Sequence, residues 1–135
     1  MSPGSFQVKE PFDEHGQSPS KQRYDRAREL MNEGAIDQAV EIFLASVADC
    51  PHYKAYELLG ECYMRLERFP LAILYLAAAS TLNRGVRAPS LLAEAWLAFG
   101  DTSRALEAAE VALGRDPKNK KALAVRQKTS DLHEK

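Results

Sequence analysis

Tyr56-Glu57-Leu58-Leu59-Gly60-Glu61-Cys62-Tyr63, followed nine residues later by Ala72-Ile73-Leu74-Tyr75-Leu76, is the stretch from which the rest of this 135-residue chain is read. Tyr56, Leu59, Gly60 and Tyr63 recur at i, i+3, i+4 and i+7, one face of a helix. Ala72 has a counterpart 33 residues to either side, Ala39 and Ala105. A fixed period of ~20–50 residues marks a stack of like supersecondary units. Such a stack moves the question of function from catalysis to recognition.

Working outward, the same helical text fills the chain from residue 20 onward. Ser18-Pro19 predicts an N-cap followed by proline at the first helical position. Tyr24, Ala27, Leu30 and Met31 then form one stripe, which Gly34-Ala35 ends. Ile36, Ala39, Val40, Phe43 and Val47 predict a second helix over about 36–49, stopped by Pro51. The third, about 53–66, holds Gly60, which costs about 1 kcal/mol of helix propensity relative to Ala; a close neighbouring helix is the expected reason for it. A fourth runs from Pro70 to about Asn83, with Gly85 expected as its left-handed cap. Pro89 opens a fifth carrying Leu92, Ala93, Trp96 and Phe99. After Gly100-Asp101, a sixth carries Ala105, Leu106, Ala109, Ala112 and Leu113. Asp116-Pro117 predicts the start of a seventh with Ala122, Leu123, Val125 and Leu132. No segment has the alternating β-branched text of a strand. The fold class is all-α, three antiparallel hairpins plus one helix.

These hairpins resemble the tetratricopeptide repeat family, helix–turn–helix units of about 34 residues. The second unit carries the family's first-half pattern best (Tyr56, Leu59, Gly60, Tyr63, then Ala72 and Leu76). The first carries the second half best (Gly34, Ala39, Phe43, Pro51), and the third has Leu92, Ala93, Trp96, Gly100, Ala105 and Pro117. The resemblance implies a right-handed α–α superhelix with repeats over about 20–52, 53–85 and 86–117, and a polar closing helix over 118–133. The first unit departs from it with Arg23 and Arg26 at places usually apolar, and the second with Arg84 for the terminal proline. Residues 1–19, with Pro3, Pro11 and Pro19 and no apolar period, are expected to form a flexible arm.

Composition narrows the classes of function. The chain is 45% hydrophobic and 27% charged with net charge −1, so no global field recruits nucleic acid or an anionic membrane. Residues 115–135 are nonetheless net +4, against −2 for 1–19. No apolar run approaches the ~18 residues of a membrane span, and the first twenty residues lack the apolar core of a secretory signal. Cys50 and Cys62 have neither metal-ligand nor redox spacing, which fits reduced thiols and a cytoplasmic chain.

No nucleophile–base–acid set is visible, since His15, His52 and His133 are scattered over the arm, a turn and the tail. Glu57 and Glu61 at i, i+4 have one half of a metal site, but with Lys54 and Arg65 beside them a solvated, neutralised face is the expected reading. The sequence predicts no enzyme, no metal and no cofactor. The resemblance instead implies a concave groove lined by the first helix of each pair. Its partner-binding residues would be Tyr24, Arg28 and Met31, then Lys54, Leu58, Glu61, Met64 and Arg65, then Arg87, Leu91, Glu94 and Leu97. Leu58, Met64, Leu91 and Leu97 are expected to be partly exposed, an apolar floor among charges of both signs.

Some members of the family grip a terminal carboxylate with a Lys, Asn, Asn, Lys, Arg set. The matching places here are Tyr24, Arg28, Leu58, Arg87 and Leu91, which disfavours the acidic tails of heat-shock chaperones. The reading is an adaptor that binds a peptide or helical segment of a partner protein in the concave groove, with a chaperone-like role as one form of it. The alternative is a self-associating scaffold whose groove or arm completes a homo-oligomer.

Overall fold

The computed structural model describes Gly16 and residues 18–133, so the arm expected over 1–19 lies almost entirely outside the described residues. Among these, all regular structure is helical: α1 Pro19–Asn32, α2 Ile36–Asp49, α3 Tyr53–Arg65, α4 Phe69–Leu82, α5 Arg87–Phe99, α6 Thr102–Arg115 and α7 Lys120–His133. Each helix packs on its neighbours in sequence. In addition α5 packs on α7, and α3 touches both α1 and α5. The hairpins α1/α2, α3/α4 and α5/α6 therefore stack as an α–α superhelix, with α7 laid against the last one.

The three alanines that set the period are each fully buried. Short side chains at these places let helix axes approach to about 8–10 Å. Larger apolar residues fill the rest of the core. Phe43, Leu59 and Leu76 are fully buried, and Tyr24 meets Phe43 edge-on at 6.0 Å between ring centroids. Two buried serines join α1 to α2: the Ser46 hydroxyl donates to the Ser20 carbonyl at 3.1 Å, and that of Ser20 donates to the Ser46 carbonyl at 3.3 Å.

The turn inside each hairpin has one design. Gly34, Glu67 and Gly100, 33 residues apart, all have positive φ, at 85°, 57° and 102°. In each, the amide of that residue reaches back three residues and the next amide reaches back five, the pairing that closes a helix through a left-handed residue. The middle turn achieves this with glutamate.

Two sequence expectations are corrected. Gly85 is not a left-handed cap. Helix α4 ends at Leu82 with Asn83 extended, and the Asn83 Oδ1 accepts the Gly85 amide at 2.7 Å. Arg115, at the end of α6, then reaches across to the carbonyls of Ser80, Asn83 and Gly85 at 3.3, 3.1 and 2.9 Å. Helix α7 begins at Lys120 rather than at Pro117. Asp116 terminates α6 and takes the Lys118 amide, while Asn119 supplies the cap by accepting from the Ala122 amide at 2.9 Å. Asparagine is as good a cap as aspartate, and it stands directly before the apolar stripe.

Candidate protein-interaction groove

The first helix of each hairpin contributes to a shared face. Residues of α1, α3 and α5 (Tyr24, Arg28, Tyr53, Lys54, Glu57, Leu58 and Arg87) line one groove of ≈360 Å³. A second, of ≈160 Å³, adjoins it between α1 and α3 along Arg28, Met31, Asn32, Leu58, Glu61 and Arg65. Helical spacing explains the grouping, because positions four apart lie above one another on a helix.

Arg87 organises the centre of this face. Its guanidinium bridges to Glu57 at 2.8 Å and to Glu61 at 2.6 Å, tying α5 to α3. Partial burial opposes its charge, but hydrogen bonds to Glu61 and Glu57 more than offset that and raise its pKa. Arg65 stands at 3.5 Å from Glu61. The two glutamates are thus held chiefly by a cation from the next hairpin, which local sequence spacing does not reveal. At the α1 edge, Lys21 pairs with Asp25 at 2.6 Å, and the Arg28 guanidinium lies 5.7 Å from the centre of the Tyr24 ring. Burial raises the Tyr24 pKa, so this phenol stays neutral at physiological pH.

The apolar floor differs from the sequence expectation. Leu91 is 7% exposed and belongs to the core, as do Tyr24 and Met31 at 5% each. Only the edges of Tyr24 and Met31 reach the groove. Leu91 lies four residues from the groove-lining Arg87 but is covered in the core cluster that also holds Leu59, Tyr63 and Leu76. Leu58, Met64 and Leu97 are half-buried. The accessible apolar surface lies further along, between α5 and α7. There Glu94, Leu97, Ala98, Lys121, Ala124, Val125 and Lys128 line ≈280 Å³, and Leu97, Lys128, Asp131 and Leu132 line ≈340 Å³. Lys121 stands 3.5 Å from Glu94, and Lys128 has no acidic partner among the described residues. Sequence reasoning assigned α7 to closing the stack and so missed its side of the groove. The exposed Leu132 at the end of a polar helix was the available signal.

The face therefore has two parts, a charged one across α1, α3 and α5 and a lysine-rimmed apolar one across α5 and α7. Among the described residues no three histidine, cysteine or acidic side chains form a metal-binding group, and no helix is long and apolar enough to cross a membrane.

Stacked helical hairpins with one shared face define a helical repeat protein. Residues 24–86 match the family described as Tetratricopeptide repeat, and the hairpins there and beyond stack as in that family's fold. Its fold resembles the first TPR of Spaghetti (RPAP3) bound to the HSP90 peptide SRMEEVD, with TM-score 0.81 at 20% identity over 86% of this chain and 94% of that one. The second TPR domain of human RPAP3, in complex with the HSP70 peptide SGPTIEEVD, gives 0.77 at 19% identity over 82% and 98%. The Sgt2 TPR domain from Aspergillus fumigatus gives 0.79 at 15% identity over 93% and 85%. No curated protein sequence matches the chain.

Proposed function

We propose that this chain is a non-enzymatic adaptor that holds a segment of a partner protein across α1, α3, α5 and α7. The observation that carries this reading is the two-part face, charged at one end and apolar at the other. The segment it suits is amphipathic, placing apolar side chains against Leu97, Ala124 and Leu132 and polar ones against Arg28, Lys54 and Arg65. Covering an apolar side chain contributes about 1.5–3 kcal/mol, so the α5/α7 end would supply affinity and the charged end orientation.

The peptides bound by the RPAP3 domains end in EEVD. In this chain the corresponding clamp places include Leu58, a core Leu91 and an Arg87 already held by two glutamates. An internal amphipathic segment therefore fits the groove better than a carboxylate terminus. The test is selection from a displayed peptide library, followed by mapping of a selected peptide on backbone amide shifts. Shifts centred on α3, α5 and α7 support the reading, and shifts confined to α2, α4 and α6 overturn it.

Self-association is the second reading, and one observation favours it. Helix α4 has no charged residue, and Leu71, Leu74 and Leu82 on its outer side are 38%, 59% and 57% exposed. One period away these places hold Gln38, Glu41 and Asp49, or Arg104, Glu107 and Arg115. Apolar patches rimmed by polar residues mark contact sites. Light scattering on wild type and on Leu74→Glu separates this reading from the first.

A further inference from the structure

The first cleft on the shared face recurs in the last one. Arg28, Met31 and Asn32 of α1 and Leu58 of α3 line the ≈160 Å³ cleft between those helices. Two periods on, Glu94, Leu97 and Ala98 of α5 and Ala124 of α7 line the ≈280 Å³ cleft between α5 and α7. The row that differs runs through Leu58, Leu91 and Ala124. Leu58 is half-buried against the core and Leu91 is buried within it, whereas Ala124 is exposed. Where α3 and α5 present a leucine, α7 presents a methyl group. An apolar cavity of roughly 150 Å³ already accepts a benzene-sized group, so the last cleft has room for an aliphatic side chain from another molecule.

A second row sets the charge of this cleft. Cys62 and Ala95 are fully buried, and one period on the place belongs to Lys128, which is exposed. Lys128 lines both this cleft and the adjoining ≈340 Å³ hollow that holds Leu97 and Leu132. Lys121, one period on from the buried Ala88, stands at the same rim. Its 3.5 Å pair with Glu94 is open to solvent and so holds it only weakly. Helix α7 carries four Lys and Arg residues against one acid, Asp131, whose carboxylate accepts from the Gln127 amide at 2.9 Å. The walls also bear on the occupant's backbone. No Asn, Gln, Ser or Thr, the side chains able both to donate to and accept from a peptide group, lines either hollow. An extended segment laid there would leave its amides and carbonyls without protein partners, whereas a helix satisfies them internally.

We propose that the α5/α7 cleft binds an acidic amphipathic helix of a partner protein. One aliphatic side chain of that helix enters over Ala124, at the place that Leu58 and Leu91 hold in the earlier rows. A second lies on Leu97 and Leu132, and a carboxylate between them meets Lys128. This rests on the adaptor reading and gives its partner segment a charge and a conformation.

The probes are two synthetic amphipathic helical peptides with the same leucine stripe, one flanked by glutamates and one by lysines, titrated against the full chain. The glutamate peptide should bind about tenfold tighter or more at low salt, moving the methyl shifts of Leu97, Ala124 and Leu132. Ala124→Leu, which fills the cleft from within, should weaken that binding about tenfold while the melting temperature holds or rises. Lys128→Glu should abolish the preference for the glutamate peptide. Equal affinity for the two peptides, or an Ala124→Leu variant that binds as wild type does, overturns the proposal. Shifts confined to α1 and α3 overturn it while leaving the adaptor reading standing. If neither peptide binds, this proposal falls and the library selection alone decides that reading. Shifts of Leu97 and Leu132 in the free chain that move with protein concentration put a second copy in the cleft, which overturns it as well.

Discussion

Gly60 on α3 faces Leu76 on α4 so closely that a Cβ built on the glycine would lie 2.5 Å from the leucine Cγ and 2.7 Å from its Cδ2. Both residues are fully packed in the second hairpin, and Leu76 has no exposure at all. The helix-propensity cost of glycine is thus offset by the approach it permits. Gly60→Leu should destabilise by about 2–3 kcal/mol through overpacking. Gly60→Ala should cost less in a Leu76→Ala background than alone, a non-additivity that urea unfolding of the four proteins in a double-mutant cycle reads directly.

Leu91 and Leu132 should separate core from groove. Leu91→Asp places a carboxylate where exposure is 7%, and loss of cooperative unfolding is expected. Leu132, 52% exposed at the lip of the α5/α7 groove, should accept Asp with little change in melting temperature. The same substitution should weaken a groove-bound peptide about tenfold or more. Calorimetric titration and a thermal melt on each variant test the pair.

Glu67 is expected to yield stability when replaced by glycine. Its φ of 57° is left-handed, a region that costs a residue with a Cβ roughly 1–2 kcal/mol. Glu67→Gly should therefore raise stability by about 1 kcal/mol, despite the greater freedom it gives the unfolded chain. An unchanged urea midpoint would mean that the turn holds Glu67 without strain.

His52 caps α3: its Nδ1 accepts the Lys54 amide at 3.2 Å, which requires an unprotonated nitrogen. Burial lowers its pKa below the ordinary value near 6.5. In the window below 6.5 the unfolded chain binds more protons than the folded one, so stability is full above that pH and is lost as pH falls toward the folded value. His52→Asn keeps a capping acceptor without a titrating group. Its melting temperature should fall less than that of wild type between pH 7.5 and 5.5 (roughly one unit either side of the ordinary value).

The thiols should differ in reactivity. Cys62 is fully buried, and burial pushes its thiol up to about 11, whereas Cys50 is partly exposed. A thiol-specific disulfide reagent at pH 8 should modify Cys50 in the folded protein and Cys62 only after denaturant is added, because the thiolate is the reacting species.

The repeat architecture was legible because its determinants are local and periodic. Ala39, Ala72 and Ala105, the Ser18 cap with Pro19 after it, and the breaks at Gly34 and Gly100 can all be read from spacing alone. Glu67 was not legible as the third member of that turn series, because its left-handed conformation is imposed by the packing of the hairpin it joins. The groove was legible only by row. Spacing groups Leu58, Leu91 and Leu97 on adjacent stripes, but only the packed structure shows that Leu91 joins the core while Leu58 and Leu97 keep part of their surface. Arg87 reached its glutamates from 26 and 30 residues away, a distance at which sequence carries no local signal.

The guanidinium of Arg115 has a consequence for how this molecule comes apart. It belongs to the third hairpin, yet it satisfies three carbonyls at the end of the second. Cutting the chain after Gly85 would leave those oxygens to water and remove the surface on which α4 rests. A two-hairpin fragment ending there should therefore be no autonomous folding unit, and melting should be cooperative across that junction rather than proceed hairpin by hairpin. In an array of this length, nearest-neighbour coupling of this kind makes the smallest divisible piece larger than the smallest repeated one.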